Sequence, residues 1–285
     1  MATEEWIVFA LATAGLWGVG TFASKPATER LGIRRMLGLV AVGEGSLYAI
    51  LFLVFRVPMP VDGTLLLVGF LAGVSGIVGY IFYYEGIQIG TVGLLGTVTG
   101  AYPAPTVLLS LAFLGEILRF EQAAGIALVL VCVLLLSWER KSARTNPRRA
   151  VVMALLAFLA WGLWGYFAKI AVDGLGEGNL FGIYALSNAV VIAGYFVVTR
   201  RRVNPVPQNP HAWPLGFVTM ALGAVGVVAL TLAYARGPAS LVTSVTGSYP
   251  VVSTIAASLV LGEHFRWREA IALSLFVLGI VLIAT

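Results

Sequence analysis

The chain has 285 residues, of which 59% are hydrophobic and only 11% are charged. Soluble domains carry about 25% charged residues, so this composition excludes an ordinary soluble domain. The formal net charge of +5 does not indicate nucleic-acid binding, because the basic residues are dispersed over short connections. The single cysteine, Cys132, allows neither a disulfide framework nor a thiolate metal site.

Ten apolar stretches follow one another along the chain, and each is long enough for a membrane helix. A bilayer core about 30 Å thick needs about 20 apolar residues per helix. The acidic start "MATEE" lacks the positive region of a signal peptide, so we expect the first stretch to be retained. The sequence therefore predicts an all-α integral membrane protein with ten transmembrane helices, near residues 6–23, 36–55, 65–84, 92–114, 122–138, 151–170, 180–199, 213–234, 239–261 and 270–284.

Lysines and arginines are distributed unevenly between the connections of this predicted membrane protein. Of the 18 lysines and arginines, all but four follow an odd-numbered segment. Basic loops are enriched on the cytoplasmic side of membranes, so we expect these loops in the cytoplasm and both termini on the periplasmic side. The four exceptions are Arg56, Arg119, Lys169 and Arg236.

A six-residue phrase occurs twice: "VTGAYP" at 98–103 recurs as "VTGSYP" at 245–250, an offset of 147 residues. The same offset aligns other stretches, so the chain consists of two repeats of five segments each. Because five is odd, the second repeat must enter the membrane in the opposite direction. Inverted repeats are the architecture of alternating-access carriers with a site at the midplane. The further matches are "GLWG" at 15–18 and 162–165, "GFLAGVSGIVG" at 69–79 with "GFVTMALGAVG" at 216–226, and "LGE" at 114–116 and 261–263.

Two five-segment halves, each with "YP" in its fourth segment and "LGE" before its fifth, resemble the EamA-type modules of the drug/metabolite transporter superfamily. The stretch "LGEILRFEQAAGIALVLV" in the first half is also similar to the family pattern. In the second half, "LGEHFRWREAIALSLF" departs from that pattern at Glu269 and Ala272. Within the superfamily, the chain is most similar to the bacterial inner-membrane exporters of aromatic and other neutral amino acids.

The repeat and the resemblance divide the chain into a first repeat at 1–139, a basic cytoplasmic linker at 140–149 and a second repeat at 150–285. The resemblance implies an exporter that contacts the lipid bilayer and a small-molecule substrate, without a cofactor, a metal or nucleic acid. The four-helix members of the superfamily must pair, whereas this chain contains both halves. We therefore expect a functional monomer.

The two prolines of the repeated phrase, Pro103 and Pro250, predict helix breaks within the fourth and ninth segments. A proline removes the hydrogen bond to the carbonyl four residues earlier, here that of Thr99 or Thr246. An unpaired carbonyl in the membrane must be satisfied by protein, water or a ligand. We expect both threonines to offer oxygens to a substrate ammonium group and both prolines to act in gating. Alternatively, the prolines kink the helices for packing, and the threonines bond to their own helices.

Aromatic residues recur around these breaks and form the second group of candidate site residues. Aromatic rings can stack on an apolar side chain and attract a cation through the ring face. Plain core packing is the alternative for any one of them. The candidates are Tyr102 and Tyr249 of the repeated phrase, Trp17 and Trp164 of the "GLWG" matches, and Tyr80 and Tyr83 at the end of the third segment, beside Tyr84.

Glu44 is the only acidic residue deep within a predicted segment, in "AVGEGSLYAI". An ionisable group at this depth is a functional hypothesis by default, as a ligand for the substrate ammonium or as a proton carrier. Alternatively, a protonated Glu44 bonds to a neighbouring helix. Asn188 falls at a roughly corresponding place in the second repeat. Glu116 and Glu263 precede the fifth and tenth segments, where we expect them to complement the helix dipoles.

The sequence favours a carrier over an enzyme or a channel. His211 and His264 fall in or near different loops, and no HExxH, CxxC, paired-acid or glycine-rich phosphate motif is present. Broken helices in an inverted repeat favour a gated carrier over a passive channel. A phosphorylated substrate needs basic partners, and no arginine is predicted deep in the membrane. We therefore expect export of a neutral amino acid, with a lipophilic cation as the alternative.

Overall fold

A computed structural model describes residues 5–60, 62–90, 92–137, 147–200, 210–261 and 267–284, and every regular element in these ranges is helical. Most of the predicted linker at 140–149 lies outside the described residues, as do Glu263 and His264. The first half contains α1 (Glu5–Leu31), α2 (Ile33–Leu39), α3 (Gly45–Phe55), α4 (Gly63–Ile89), α5 (Val92–Gly100), α6 (Pro103–Phe113) and α7 (Phe120–Ser137). The second half contains α8 (Pro147–Leu175), α9 (Glu177–Thr199), α10 (Trp213–Tyr234), α11 (Ala239–Thr246), α12 (Tyr249–Leu261) and α13 (Trp267–Ala284).

Six helical stretches in the described residues are long and apolar enough to cross a membrane. They are α1, α4, α8, α9, α10 and the stretch Ile33–Phe55, in which a π-helical turn at Val40–Glu44 joins α2 to α3. The remaining predicted segments correspond to the shorter helices α5 with α6, α7, α11 with α12, and α13. An integral membrane protein is therefore supported, and the exact number of ten spans stays a prediction. Large apolar side chains such as Leu53 and Val198 face outward, as contact with lipid requires.

Two glycines fix the turns that follow the first helix of each half. Gly32 separates α1 from α2 with φ of 79°, and Gly176 separates α8 from α9 with φ of 80°. A side chain is strained in this left-handed region, so glycine allows a sharp turn without a long loop. Gly176 follows Gly32 by 144 residues, which is three fewer than the offset of the repeated phrase.

The two halves interlock rather than stand side by side. Helix α1 of the first half packs mainly against α10 of the second, and α8 of the second packs mainly against α4 of the first. Further contacts between the halves join α1 to α12, α3 to α9, α4 to α9 and α7 to α13. Helices α1 and α8 are equivalent, as are α4 and α10, so the first two pairs are reciprocal, while α3 with α9 and α7 with α13 each join equivalent helices. This reciprocity is what a two-fold relation between the repeats produces.

The structure breaks both helices at the repeated phrase. Helix α5 ends before Ala101 and α6 begins at Pro103, while α11 ends before Gly247 and α12 begins at Tyr249. The Thr99 carbonyl accepts a hydrogen bond from the Tyr102 amide at 3.0 Å. Pro103 therefore does not leave this carbonyl without a partner, because a tighter turn supplies one, and a role of the carbonyl in binding substrate stays a prediction.

Candidate functional site

The repeated phrase joins the two halves at the centre of the molecule. The Tyr102 hydroxyl lies 2.8 Å from Thr246 Oγ1, and the Tyr249 hydroxyl lies 3.3 Å from Thr99 Oγ1. Thr99 and Thr246 are fully buried and do not line the central cavity. Both threonines also bond to carbonyls of their own helices. In this structure they hold the tyrosines in place, and a direct role in binding substrate stays a prediction without a contact to support it.

The glycines of the phrase explain why it is repeated with so little change. A Cβ atom at Gly247 would overlap the Pro103 ring, and one at Gly100 would lie 3.2 Å from Pro250 Cγ. Each proline therefore packs into the space that the other repeat's glycine leaves. Pro103 and Pro250 thus serve the contact between repeats, and their predicted gating role stays a prediction.

A cavity lies beside this crossing and is lined by both halves. Its lining comes from the C-terminal halves of α1 and α4, the N-terminal half of α10, the middle of α8 and the broken helices. Thr21, Ser24 and Thr219 add hydroxyl groups to the wall. Most of the lining is aromatic, with Trp17, Tyr80, Tyr83, Tyr84, Tyr102, Trp161, Trp164 and Tyr249. The structure thus brings together every aromatic candidate from the sequence and adds Tyr84 and Trp161.

The counterpart of Trp17 in the second repeat is Trp161, whereas the sequence comparison predicted Trp164. Trp17 Nε1 donates to the Gly223 carbonyl at 3.3 Å, and Trp161 Nε1 donates to the Gly76 carbonyl at 3.2 Å. Gly76 and Gly223 are equivalent in the two repeats, so Trp161 is the structural counterpart of Trp17. The pairing of the "GLWG" stretches at an offset of 147 is wrong by three residues, because the first two segments are related by the glycine spacing of 144.

Trp164 makes the cavity asymmetric. At the spacing of 144 its counterpart is Gly20, which has no side chain. Trp164 Nε1 donates to the Tyr184 hydroxyl at 3.1 Å, and its ring lies 5.9 Å from that of Trp17. The hydrogen bond and the neighbouring ring fix the indole in one orientation. The cavity wall therefore carries an indole in the second repeat where the equivalent position of the first repeat carries no side chain.

Glu44 is the one charged side chain among the described residues that line the cavity. It closes the π-helical turn, is 2% exposed and accepts a hydrogen bond from the Tyr48 hydroxyl at 3.3 Å. π-helical turns occur frequently at functional sites. A carboxyl group in such a wall can bind a cationic group of a ligand or a proton. Across the described residues, no cluster of histidine, cysteine, aspartate or glutamate could hold a metal ion.

The face of the molecule where α11 begins is closed by contacts between the halves. Glu116 accepts hydrogen bonds from the Ala239 amide at 2.6 Å and the Ser240 amide at 3.0 Å. It therefore caps α11 of the second half, and the expectation that it complements the helix after it is wrong. Arg236 lies 3.8 Å from Glu5 of the first half on the same face. The residues that line the cavity lie towards the opposite face of the molecule, where α1 ends and α10 begins.

A helical membrane protein of two interlocked repeats with a cavity between them is the architecture of a membrane transporter. Comparison with known families agrees: the EamA-like transporter family matches residues 5–138 and again 148–285. The chain belongs to this family.

Two further comparisons describe the repeat and the fold. An uncharacterized protein of Methanocaldococcus jannaschii is 29% identical over 131 residues, which cover 46% of this chain and 95% of that protein. That relative therefore matches a stretch close to the length of one repeat. The fold of a solved crystal structure is similar, with a TM-score of 0.75 and 20% identity. The similarity covers 97% of this chain and 95% of the solved one, so the fold is shared across both repeats.

Proposed function

We propose that this transporter exports aromatic and other neutral amino acids by alternating access. The observation that carries the proposal is the cavity between the repeats, which combines eight aromatic rings with one buried carboxyl group. Such a wall suits a ligand with an ammonium group next to an aromatic or apolar body. Glu44 would bind the ammonium group, and Trp17, Trp161 and Tyr249 would contact the side chain of the amino acid.

Export rather than import is carried over from the resemblance to the amino acid exporters, and the position of the cavity and of the basic loops is compatible with it. The cavity lies towards the face where α1 ends and α10 begins. Arg30, Arg34 and Arg200 stand next to those helix ends, so the positive-inside rule places this face in the cytoplasm. A cavity on that side can exchange substrate with the cytoplasm, as an alternating-access carrier requires in one of its states. We further propose a monomer in the bacterial inner membrane, because one chain supplies both halves of the cavity.

A lipophilic organic cation is the second candidate substrate. The specific observation in its favour is that neither lysine nor arginine occurs among the described residues that line the cavity. A carboxylate-bearing ligand would then depend on neutral donors, whereas a cation needs only Glu44 and the aromatic rings. Phosphorylated substrates such as sugar nucleotides fit this lining poorly for the same reason.

Counterflow in proteoliposomes tests the proposal. Vesicles with purified protein are preloaded with one unlabelled compound, and labelled phenylalanine is added outside. Accumulation with preloaded phenylalanine, tyrosine or leucine, but not with a sugar nucleotide, is the expected result. Accumulation of a labelled cationic dye without accumulation of any amino acid would reject amino acid export in favour of the second candidate. Protein-free vesicles give the background.

A further inference from the structure

A small pocket opens beside the central cavity and shares Glu44, Tyr80 and Trp164 with it. It lies between α3, α4 and α9, and Asn188 of α9 forms part of its wall. Gly73 and Gly76 of α4 line it together with Ile77 and Tyr80. The pocket is continuous with the cavity at Glu44, Tyr80 and Trp164, so the polar end of a ligand in the cavity can approach it.

Glu44 and Asn188 are equivalent positions in the two repeats. Glu44 lies twelve residues after Gly32, and Asn188 lies twelve residues after Gly176. The two glycines share one backbone conformation and begin equivalent helices, so this alignment is structural and does not depend on sequence identity. A two-fold relation thus brings a carboxyl group and a carboxamide to the same pocket from opposite repeats. One side chain offers an acceptor for a charged donor, and the other offers a neutral N–H donor.

The amide nitrogen of Asn188 is unsatisfied. Asn188 is 3% exposed, and its Nδ2 has no hydrogen-bond partner among the residues that the structure describes. A buried polar group without a partner is unfavourable, and such a group in a binding protein marks a place for a ligand atom. The partner that Nδ2 needs is an acceptor oxygen.

We propose that this side pocket is the headgroup subsite for an α-amino acid. The ammonium group of the substrate binds Glu44, and its carboxylate accepts a hydrogen bond from Asn188 Nδ2. Its side chain extends into the aromatic cavity. This inference rests on the proposed function and explains how a carboxylate binds without lysine or arginine, which would instead pair with Glu44. It assigns the choice between an amino acid and the corresponding amine to Asn188.

Three ligands with the same ring separate the two contacts. Phenylalanine carries both charged groups, phenethylamine lacks the carboxylate, and 3-phenylpropionate lacks the ammonium group. Each is used as an unlabelled competitor of labelled phenylalanine in counterflow with wild-type protein, Asn188→Leu, Asn188→Asp and Glu44→Gln. The lipid-facing variant Leu186→Ala, on the same helix, is the matched control because Leu186 is 58% exposed. Monodispersity and thermal unfolding of each purified variant confirm that it is folded.

We expect Asn188→Leu to weaken inhibition by phenylalanine about tenfold, as loss of one buried hydrogen bond to a charged group implies. Inhibition by phenethylamine stays within about twofold of wild type. Asn188→Asp, of the same size, reverses the preference in favour of phenethylamine because two carboxylates then face the ligand. Glu44→Gln weakens both compounds. Leu186→Ala changes neither.

If Asn188→Leu weakens inhibition by phenylalanine and by phenethylamine equally, the headgroup subsite is wrong. It is also wrong if the variant weakens inhibition by neither compound. Amino acid export would still stand in both cases, because wild-type counterflow with phenylalanine establishes it independently. If wild-type protein exchanges phenethylamine but not phenylalanine, the proposed function fails instead, and the headgroup subsite fails with it.

Discussion

The hydroxyl of Tyr102 lies 2.8 Å from Oγ1 of Thr246, and this bond joins the broken helix of one repeat to that of the other. The reciprocal bond between Tyr249 and Thr99 is 3.3 Å long. Both tyrosines also line the cavity. The residues that shape the cavity are thus bonded across the two repeats, so a relative movement of the repeats would change the cavity directly.

Thr246→Val should lower the free energy of unfolding by about 1–3 kcal/mol, because the buried Tyr102 hydroxyl loses a partner. Tyr102→Phe removes the other half of the bond, so the double variant should recover part of the loss. Thermal unfolding in detergent measures both. Thr254→Val is the control, since the Thr254 hydroxyl bonds to the Pro250 carbonyl of its own helix at 2.8 Å. Fully additive losses would show that the bond contributes nothing.

Gly247→Ala should destabilise the protein by about 1–3 kcal/mol through overpacking against the Pro103 ring. Gly100→Ala meets Val133 Cγ1 at 2.7 Å as well as Pro250 Cγ at 3.2 Å and should destabilise the protein in the same direction. Gly194→Ala provides the contrast, because a Cβ atom there meets nothing within 4 Å and alanine favours the helix. The comparison uses the midpoint of thermal unfolding. If all three variants have the same midpoint of thermal unfolding, the packing of each glycine against the proline of the other repeat does not stabilise the contact between the repeats.

The repeat architecture could be predicted because the phrase with Thr99, Gly100 and Pro103 is fixed by contacts with its own copy. Such mutual packing restricts both copies to the same residues, and the repetition becomes visible in one sequence. The helix breaks followed from proline chemistry alone. The hydrogen-bond partners of the Thr99 and Thr246 hydroxyls could not be predicted, because the sequence does not show which tyrosine contacts the other repeat.

The register of the first helices could not be predicted from identity at one offset. "GLWG" contains Trp164, and the 147 offset places Ala14 opposite Trp161, so Trp161 was missed. The two repeats differ by three residues before the third segment, as the turns at Gly32 and Gly176 and the hydrogen bonds of Trp17 and Trp161 show in the structure. The "WGLWG" stretch did indicate a second candidate, because its two tryptophans lie three residues apart, about one helical turn, and so share one side of the helix.

Trp161→Ala should raise the substrate concentration for half-maximal counterflow about three- to tenfold, because Trp161 contacts Tyr80, Tyr83 and Tyr102 in the cavity wall. Trp161→Phe should retain the ring contacts but lose the bond to the Gly76 carbonyl, with a smaller effect. Trp213→Ala is the control, since Trp213 is 38% exposed and stands outside the lining. Unchanged kinetics in folded Trp161→Ala would remove this residue from the site.

Glu116→Ala should loosen the closed face, because the amides of Ala239 and Ser240 lose the carboxylate that caps them. Loss of charge-assisted hydrogen bonds worth about 1.5–3 kcal/mol corresponds to at least a tenfold increase in the equilibrium constant for opening of this face. Ser240→Cys, in a Cys132→Ala background, reports the opening by its labelling rate with a polar thiol reagent, since Ser240 is fully buried. Glu121→Ala, at an exposed acid on α7, should leave labelling unchanged. Equal rates with and without Glu116 would mean that the cap does not keep this face closed.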